Sequence, residues 1–244
     1  MSMTKRQEQI LALLEENRFL TVERLSALTY TSPSSIRRDL TRLQNECLVK
    51  RTHGGAAVPE EQSQAAPLQS RMTKNIIGKK KIAKKAAELL RDGASVMLDG
   101  SSTAAFLLPH IARHRDICLF TNSMTTALSA IGYGIQTHCL GGESVNRSAV
   151  LGGPTCYRAI ERLRPELLFF SSHSLDRRGV ITDPTEEENY ARQLMLSVAA
   201  ESVFLCDSEK FDRRALHTLA SLDEVSTAVF DEPFPTLKTK CKIL

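Results

Sequence analysis

The chain contains no apolar run approaching the roughly 18 residues of a membrane span, and its first ten residues, MSMTKRQEQI, are already polar. A cytoplasmic protein without a membrane segment is the expectation. None of the six cysteines (Cys47, Cys118, Cys139, Cys156, Cys206 and Cys241) stands in a C-x-x-C pair. Their scatter supports neither a zinc site nor a disulfide framework, so reduced thiols and no metal are expected. G-x-S-x-G, H-E-x-x-H and Walker motifs are missing too. That leaves hydrolase, zinc-protease and NTPase readings without support, and no cofactor is expected.

What the chain has is positive charge in one region. At 244 residues it suits one large domain, or a small one joined to a medium one. Its net charge of +4 divides unevenly: residues 1–58 hold nine Lys/Arg against six Asp/Glu (+3), residues 59–85 hold seven against two (+5), and residues 86–244 carry the remaining −4. Attraction to phosphate would concentrate charge in this way.

Residues 5–17 (KRQEQILALLEEN) put Ile10, Leu11, Leu13 and Leu14 on one helical stripe. Thr21 is a candidate N-cap for a second helix, VERLSALT, which buries Val22, Leu25 and Leu28. After a short break Ser32 caps a third helix, with Pro33 at its first position and its end near Asn45. In that helix Ile36, Leu40 and Leu43 face inward; Ser34, Arg38, Thr41 and Asn45 lie opposite, with Ser35 and Arg37 on the flanks. Hydroxyls at a helix start followed by arginines suit a helix that enters a major groove N-terminus first. Arginine can hold guanine through two hydrogen bonds, and hydroxyls can reach base edges or phosphate. A solvated arginine face on an ordinary helix is the competing reading.

The next segment shifts the balance. Leu48–Arg51 and Ala56–Val58 read as short strands around a His53-Gly54-Gly55 turn. A basic hairpin after a helix-turn-helix is a wing, and wings lie along the phosphate backbone. The candidate contacts to double-stranded DNA are Ser32, Ser34, Ser35, Arg37, Arg38, Thr41, Arg42, Lys50, Arg51 and His53. Gly54 and Gly55 are read as positions of positive φ. The stretch SPSSIRRDLTRLQNECLVKRTHGGAAV resembles the DNA-binding end of the DeoR-type bacterial repressors of sugar catabolism, whose pattern is S-x-x-T/S-I-R-R-D-L and then R-x-H-G-G-A. Both halves match at the right spacing, and the resemblance implies binding of operator DNA.

Residues 59–72, with two prolines and no apolar period, read as a linker between a winged helix-turn-helix at 1–58 and an effector domain at 73–244. A lysine-rich helix is expected near 74–90. Beyond it the apolar runs 94–98, 117–120, 135–140, 167–170, 202–206 and 226–230 alternate with helical segments, which is the sequence form of an α/β domain with a mainly parallel sheet. Small, polar and acidic residues follow the strands, where open α/β sheets bind ligands. Asp99, Ser101, Ser102, Thr103, Asn122, Gly141, Gly142, Asp207 and Lys210 are the candidate effector-binding residues. Hydroxyls and free N–H groups at 101–103 would hold an anion, and Lys210 would pair with phosphate.

The second half again resembles the DeoR-type family, whose effector domain is similar in fold to ribose-5-phosphate isomerase. The matching motifs are K-x-x-I-A-x-x-A-A at 79–87, the turn at 99–103, T-N-S at 121–123, the glycine pairs at 141–142 and 152–153, and D-S-E-K-F at 207–211. The chain departs from the family at Ser101, where relatives usually have glycine, and at Ser171–Leu175 after the fourth strand. The resemblance implies a DNA-binding repressor of a carbohydrate catabolic operon, controlled by a phosphorylated sugar and acting as a dimer or tetramer. The alternative is a sugar-phosphate isomerase with a nucleic-acid-binding extension. An isomerase needs a carboxylate base at the substrate carbon, and Asp99 or Asp207 stands where one could be. The SSHSL turn, however, lacks the aspartates that the isomerases carry there, and His173 reads as a loop residue. A regulator, not an enzyme, is the expectation.

Overall fold

The computed structural model describes residues 4–17, 19–45, 48–52, 54–57 and 68–244. They fall into two compact units, Met1–Arg71 and Met72–Leu244.

The first unit runs α1 (Lys5–Asn17), β1 (Phe19–Thr21), α2 (Val22–Leu28), α3 (Pro33–Asn45), β2 (Lys50–Thr52) and β3 (Gly55–Ala57). Apolar residues at helical spacing make its core: Ile10, Leu14, Leu25, Ile36, Leu40 and Leu43 are fully buried, with Leu48, Val49 and Ala56 packed on them. Each such aliphatic side chain contributes about 1.5–3 kcal/mol on burial, which is how so short a chain holds three helices together. The expected caps are in place. Thr21 Oγ1 accepts from the Arg24 N–H at 3.1 Å, and Ser32 Oγ accepts from the Ser35 N–H at 3.4 Å.

The wing is three-stranded and antiparallel, in the order β1-β3-β2. Its third member, β1, is too short to carry a period and gave no sign in the sequence. The two turn glycines do different work. Gly54 has φ +83°, whereas a Cβ on Gly55 would stand 2.4 Å from the Leu20 carbonyl oxygen. Gly54 therefore supplies the backbone turn, and Gly55 is small so that β1 can close on β3. His53 and Val58 lie outside the described residues.

The linker reading needs one correction. Leu68–Thr73 forms a helix, α4, which begins inside the segment expected to be irregular and ends one residue beyond it. The preceding part, 58–67, lies outside the described residues. Helix α5 (Ile76–Ala86) follows, with Asn75 accepting from the Gly78 N–H at 3.1 Å as its N-cap.

The second unit continues with β4 (Ser95–Leu98), α6 (Ser102–Ala105), α7 (Leu108–Ile111), β5 (Cys118–Thr121), α8 (Met124–Gly132) and β6 (Gln136–Cys139). Next come the hairpin β7 (Glu143–Ser144) and β8 (Leu151–Gly152), α9 (Gly153–Glu161), β9 (Leu167–Phe170), β10 (Ser174–Leu175), β11 (Val180–Asp183) and α10 (Glu186–Val198). The chain ends with β12 (Glu201–Cys206), β13 (His217–Ser221), β14 (Thr227–Phe230) and β15 (Lys242–Ile243). All six expected runs enter one seven-stranded sheet, ordered β15-β14-β12-β9-β4-β5-β6 and parallel throughout. Alternate residues serve opposite faces. Val96, Leu98, Leu167 and Phe169 join one apolar cluster with Ile82 and Ala83 of α5. Met97, Leu168 and Phe170 join the other with Ile160 of α9 and Met195 of α10. With both faces covered, the strands read as unbroken apolar runs, as buried parallel strands do. A second, antiparallel sheet, β10-β11-β13, escaped the sequence reading. Its strands are short, and its register shifts between Ile181 and Thr182, which breaks the alternation that would have announced it.

Candidate nucleic-acid interface and sensor cleft

In the first unit, burial of Ile36, Leu40 and Leu43 turns the opposite face of α3 outward. Ser34, Arg37, Arg38, Thr41 and Arg42 are exposed there, as are Ser32 before the helix and Lys50 and Arg51 on the wing; Ser35 is half-buried. Ser32 Oγ lies 3.0 Å from Ser34 Oγ and 3.1 Å from Ser35 Oγ, so the three hydroxyls cluster at the helix start. Thr41 Oγ1 donates to the Arg37 carbonyl at 2.8 Å and accepts from Arg51 Nη1 at 3.1 Å, which joins the helix to the wing. Five cations thus share one exposed surface. Against them stands Glu23, 3.9 Å from Arg37 and itself exposed. Surface pairs of that kind hold little energy, so Arg37 remains available to phosphate.

One feature of this unit gave no signal in the sequence. Asp39 sits in the middle of α3 but is buried, and it accepts from Arg6 Nε of α1 at 2.5 Å. The pair ties α1 to α3.

In the second unit the chain lays β4, β5 and β6 down in one direction, then returns to place β9, β12, β14 and β15 on the other side of β4. The order reverses between β4 and β9, and open parallel sheets bind ligands in the crevice at the carboxyl ends of such strands. Asp99 follows β4, Asn122 follows β5, Ser171 follows β9 and Asp207 follows β12. Lys210 reaches across this point. Its ammonium donates to Ser171 Oγ at 2.8 Å and to Thr103 Oγ1 at 3.2 Å, and lies 3.4 Å from Asp207 Oδ2.

Asp99 stands at the expected strand end, but its oxygens are fully used. Oδ1 accepts from the Ser101 N–H at 3.1 Å and from Ser101 Oγ at 2.5 Å; Oδ2 accepts from Arg192 Nε at 2.9 Å and from the Ser171 N–H at 3.3 Å. It shapes the turn and, in this arrangement, has no lone pair left for a ligand hydroxyl or for a proton in an isomerase-type step. Ser101 is likewise committed, since its hydroxyl also accepts from the Ala104 N–H at 3.2 Å and caps α6. Ser102 and Thr103 are buried beside it. Asn122 donates to the Leu151 carbonyl at 2.8 Å while its buried Oδ1 has no partner, and Asp207 Oδ2 also lacks a directed hydrogen bond. Asp207 Oδ1 accepts from Asn75 Nδ2 at 3.3 Å. Gly142 has a packing role: a Cβ there would meet the Gly152 carbonyl oxygen at 2.3 Å and Cys156 Cβ at 2.8 Å. Gly141, with φ +72°, has open space where a side chain would be.

The residue the sequence reading missed is Arg192 of α10. Its buried guanidinium is divided among three buried carboxylates: Asp99 through Nε, Asp183 through Nη1 at 3.0 Å and Glu188 through Nη2 at 3.1 Å. Burial pushes the Asp183 carboxyl up to about 6, against the pull of Arg192 and reinforced by Glu188. In the sequence, Glu188 and Arg192 look like an ordinary surface pair four residues apart. Only the fold shows that Asp99, from the other end of the domain, completes the set.

The comparisons with known proteins concern both units. Residues 6–62 match the DeoR-like helix-turn-helix domain, and residues 74–232 match the DeoR C terminal sensor domain. The chain belongs to the DeoR family of transcriptional regulators. The HTH-type transcriptional regulator GlpR of Haloferax volcanii is 30% identical over 227 residues, which is 93% of this chain and 89% of that one. The L-fucose operon activator of Haemophilus influenzae is 30% identical over 237 residues, 96% of this chain and 94% of that one. Among solved structures, ribose 5-phosphate isomerase A of Methanocaldococcus jannaschii aligns with a TM-score of 0.44 and 18% identity over 57% of this chain, which spans about half (55%) of that structure. This DeoR-family chain is a DNA-binding regulator rather than an isomerase: relatives that it covers nearly end to end are named as regulators, and residues 6–62 match the helix-turn-helix domain. Among the described residues no helix is long and apolar enough to cross a membrane.

Proposed function

We propose that this regulator represses a carbohydrate catabolic operon in the cytoplasm, and that a phosphorylated sugar entering the cleft above β4 and β9 changes its affinity for operator DNA. Residues 1–58 would read DNA, residues 73–244 would sense the sugar, and 59–72 would join them. Paired half-sites call for a dimer or tetramer, because recognition helices must stand about one helical turn of DNA apart. The observation that carries the reading is the Lys210 ammonium, held over the switch point by two hydroxyls, Thr103 and Ser171. A phosphate can take over those bonds as charge-assisted ones. Ser102 and Thr103 would line the anion site. Asn122 and Asp207, with acceptors to spare, would receive sugar hydroxyls, and Gly141 and Gly142 would form the rim. Asp99 and Ser101 would hold the turn in shape. A relative named for the L-fucose operon supports the choice of a sugar-linked signal.

The test is a thermal-shift screen of pentose and hexose phosphates on the full chain. A ligand at about one hundred times its Kd stabilises by about 2.7 kcal/mol. At about 2–4 °C per kcal/mol for a domain of this size, the melting point should rise by roughly 5–10 °C. The same sugars without phosphate should give little, and Lys210→Met should lose the shift while still binding operator. A shift of equal size in Lys210→Met would place the anion elsewhere.

A further inference from the structure

The turn between α2 and α3 holds a residue that its backbone does not suit. Helix α2 ends in a Schellman motif: Thr29 is the C-cap, the next residue turns through the left-handed region, and the Thr31 N–H donates to the Ser26 carbonyl at 3.0 Å. Glycine is the usual occupant of the turning position and asparagine the next, because a side chain there brings its Cβ against the following carbonyl oxygen. Here the occupant is Tyr30, at φ +50°. Among the described residues four other non-glycine residues have positive φ, namely Asn75, Asp116, Asn146 and Asp212. All four are of the types whose short polar side chains tolerate it. Tyr30 is the exception, and packing does not offset the strain, since the residue is 98% exposed.

The neighbours hold the turn in this form. Ser26 Oγ donates to the Thr31 carbonyl at 2.5 Å, Thr31 Oγ1 to the Thr29 carbonyl at 3.0 Å, and Thr29 Oγ1 to the Leu25 carbonyl at 2.7 Å. The ring therefore projects from a fixed backbone and contributes nothing to the fold, so its use lies in a bound state. Position says which. Two residues on, Ser32 begins the cluster of hydroxyls at the start of α3. A helix that enters a major groove by that end brings the residues ahead of its cap to the wall of the groove, which is sugar and phosphate. A tyrosine hydroxyl donates well to a phosphate oxygen, and such contacts set the register of the protein on the duplex. We infer that Tyr30 is an uncharged anchor on the DNA backbone, which seats the start of α3. The inference rests on the reading of α3 as the helix that enters the groove, and adds a contact outside both that helix and the wing.

The experiment uses the full chain and reads melting and DNA binding together. Tyr30→Asn relieves the strain, so it should melt at or above the parent's temperature while losing about two- to tenfold in operator affinity, the range of one hydrogen bond. Tyr30→Phe keeps the ring and lacks only the hydroxyl; it should melt as the parent does and lose most of the same affinity. Both losses should be equal on operator and on unrelated DNA, since phosphate carries no base information, and the salt slope should stay as it was, since no charge is removed. Nitration by tetranitromethane supplies a direct readout: operator DNA should protect Tyr30 and leave Tyr190, 47% exposed on α10, reactive. Parent-like binding by both variants overturns the inference, as does a Tyr30→Asn chain that melts lower, or nitration of Tyr30 that DNA does not slow. Arg38→Ala, run alongside, tells two failures apart. If it loses affinity while both Tyr30 variants bind as the parent, Tyr30 alone is refuted. If it too binds as the parent, the groove reading of α3 is refuted and the inference goes with it.

Discussion

The two units use charge in opposite ways. Among the described residues of the first, five cations stand exposed on α3 and the wing, with Glu23 as a weak acidic neighbour. In the second, Arg192 lies buried among Asp99, Asp183 and Glu188, each 5% exposed or less. Exposed charge costs the fold little and stays available to an outside partner, in the proposed reading the phosphates of DNA. Buried charge must be matched within the molecule, and it fixes geometry: Arg192 reaches from α10 to the turn after β4, beside the proposed effector cleft. The DNA-reading surface should therefore tolerate substitution in stability and lose binding, whereas the network below the cleft should lose stability.

Removal of Arg192 should have the largest effect. Arg192→Met leaves three carboxylates without their counter-charge, and breaking a buried pair by deleting one partner costs about 3–5 kcal/mol. Urea unfolding of the full chain, followed by a probe in the second unit, should show a loss of that order at neutral pH. A loss below about 1 kcal/mol would mean that water already reaches the network.

Acidity gives a second handle on the same cluster. Asp183 titrates near 6 in the folded chain against an ordinary 3.8, so the native state holds its proton more tightly than the unfolded state does. By linkage, stability then falls as pH rises between about 4 and 6, where the folded chain binds more protons than the unfolded one. Asp183→Asn can still accept the 2.8 Å bond from the His173 N–H through its amide oxygen, and it should lack this component of the pH profile. Coincident slopes for parent and variant between pH 4 and 6 would remove Asp183 from the argument.

On the exposed side the expected effects move from stability to binding. Arg38→Ala should cost about 1–3 kcal/mol of operator affinity and relax base preference at one position, while the melting curve stays where it was. Lys50→Ala should instead weaken all sequences alike and lower the salt slope by about one unit. Operator titrations at several salt concentrations distinguish the two patterns, and a preference untouched by Arg38→Ala would take α3 out of the major groove.

How far the sequence could be read follows from the same contrast. The helices of the first unit and the six apolar strands of the second were legible because each is set by local periodicity, capping residues or a continuous apolar run. The face of α3 was legible because burial of Ile36, Leu40 and Leu43 leaves Arg37, Arg38 and Arg42 no direction but outward. The Arg192 network was not, because Asp99 and Arg192 lie 93 residues apart and meet only once the sheet has formed. For the same reason Asp99 and Ser101 read as free ligands when their hydrogen bonds are already spent, and β1, β10 and β15 were too short to stand out. The lone helix α4 shows the converse: a polar, proline-bounded stretch hid one helical turn and more at its end.

The smallest effect concerns Glu23, and it sharpens the contrast with Glu188. Both are carboxylates near an arginine, Glu23 at 3.9 Å from Arg37 on the surface and Glu188 at 3.1 Å from Arg192 in the interior. Glu23 also lies in the first turn of α2, where a negative charge favours the helix dipole, so its loss removes a weak ion pair and a weak dipole contact together. Those terms are screened by solvent, and Glu23→Gln should cost no more than about 1 kcal/mol of stability. For DNA the sign reverses. The substitution deletes an acid beside the exposed cations of α3, so phosphate is repelled less and Arg37 is no longer drawn aside. Operator affinity at low salt should rise by a small factor, and the gain should shrink as salt is added, because the effect is an exposed electrostatic one. Titrations of parent and variant at two salt concentrations decide it. A loss of affinity would mean that Glu23 holds Arg37 in its reading position, making the pair part of the DNA-binding geometry rather than a neighbour of it.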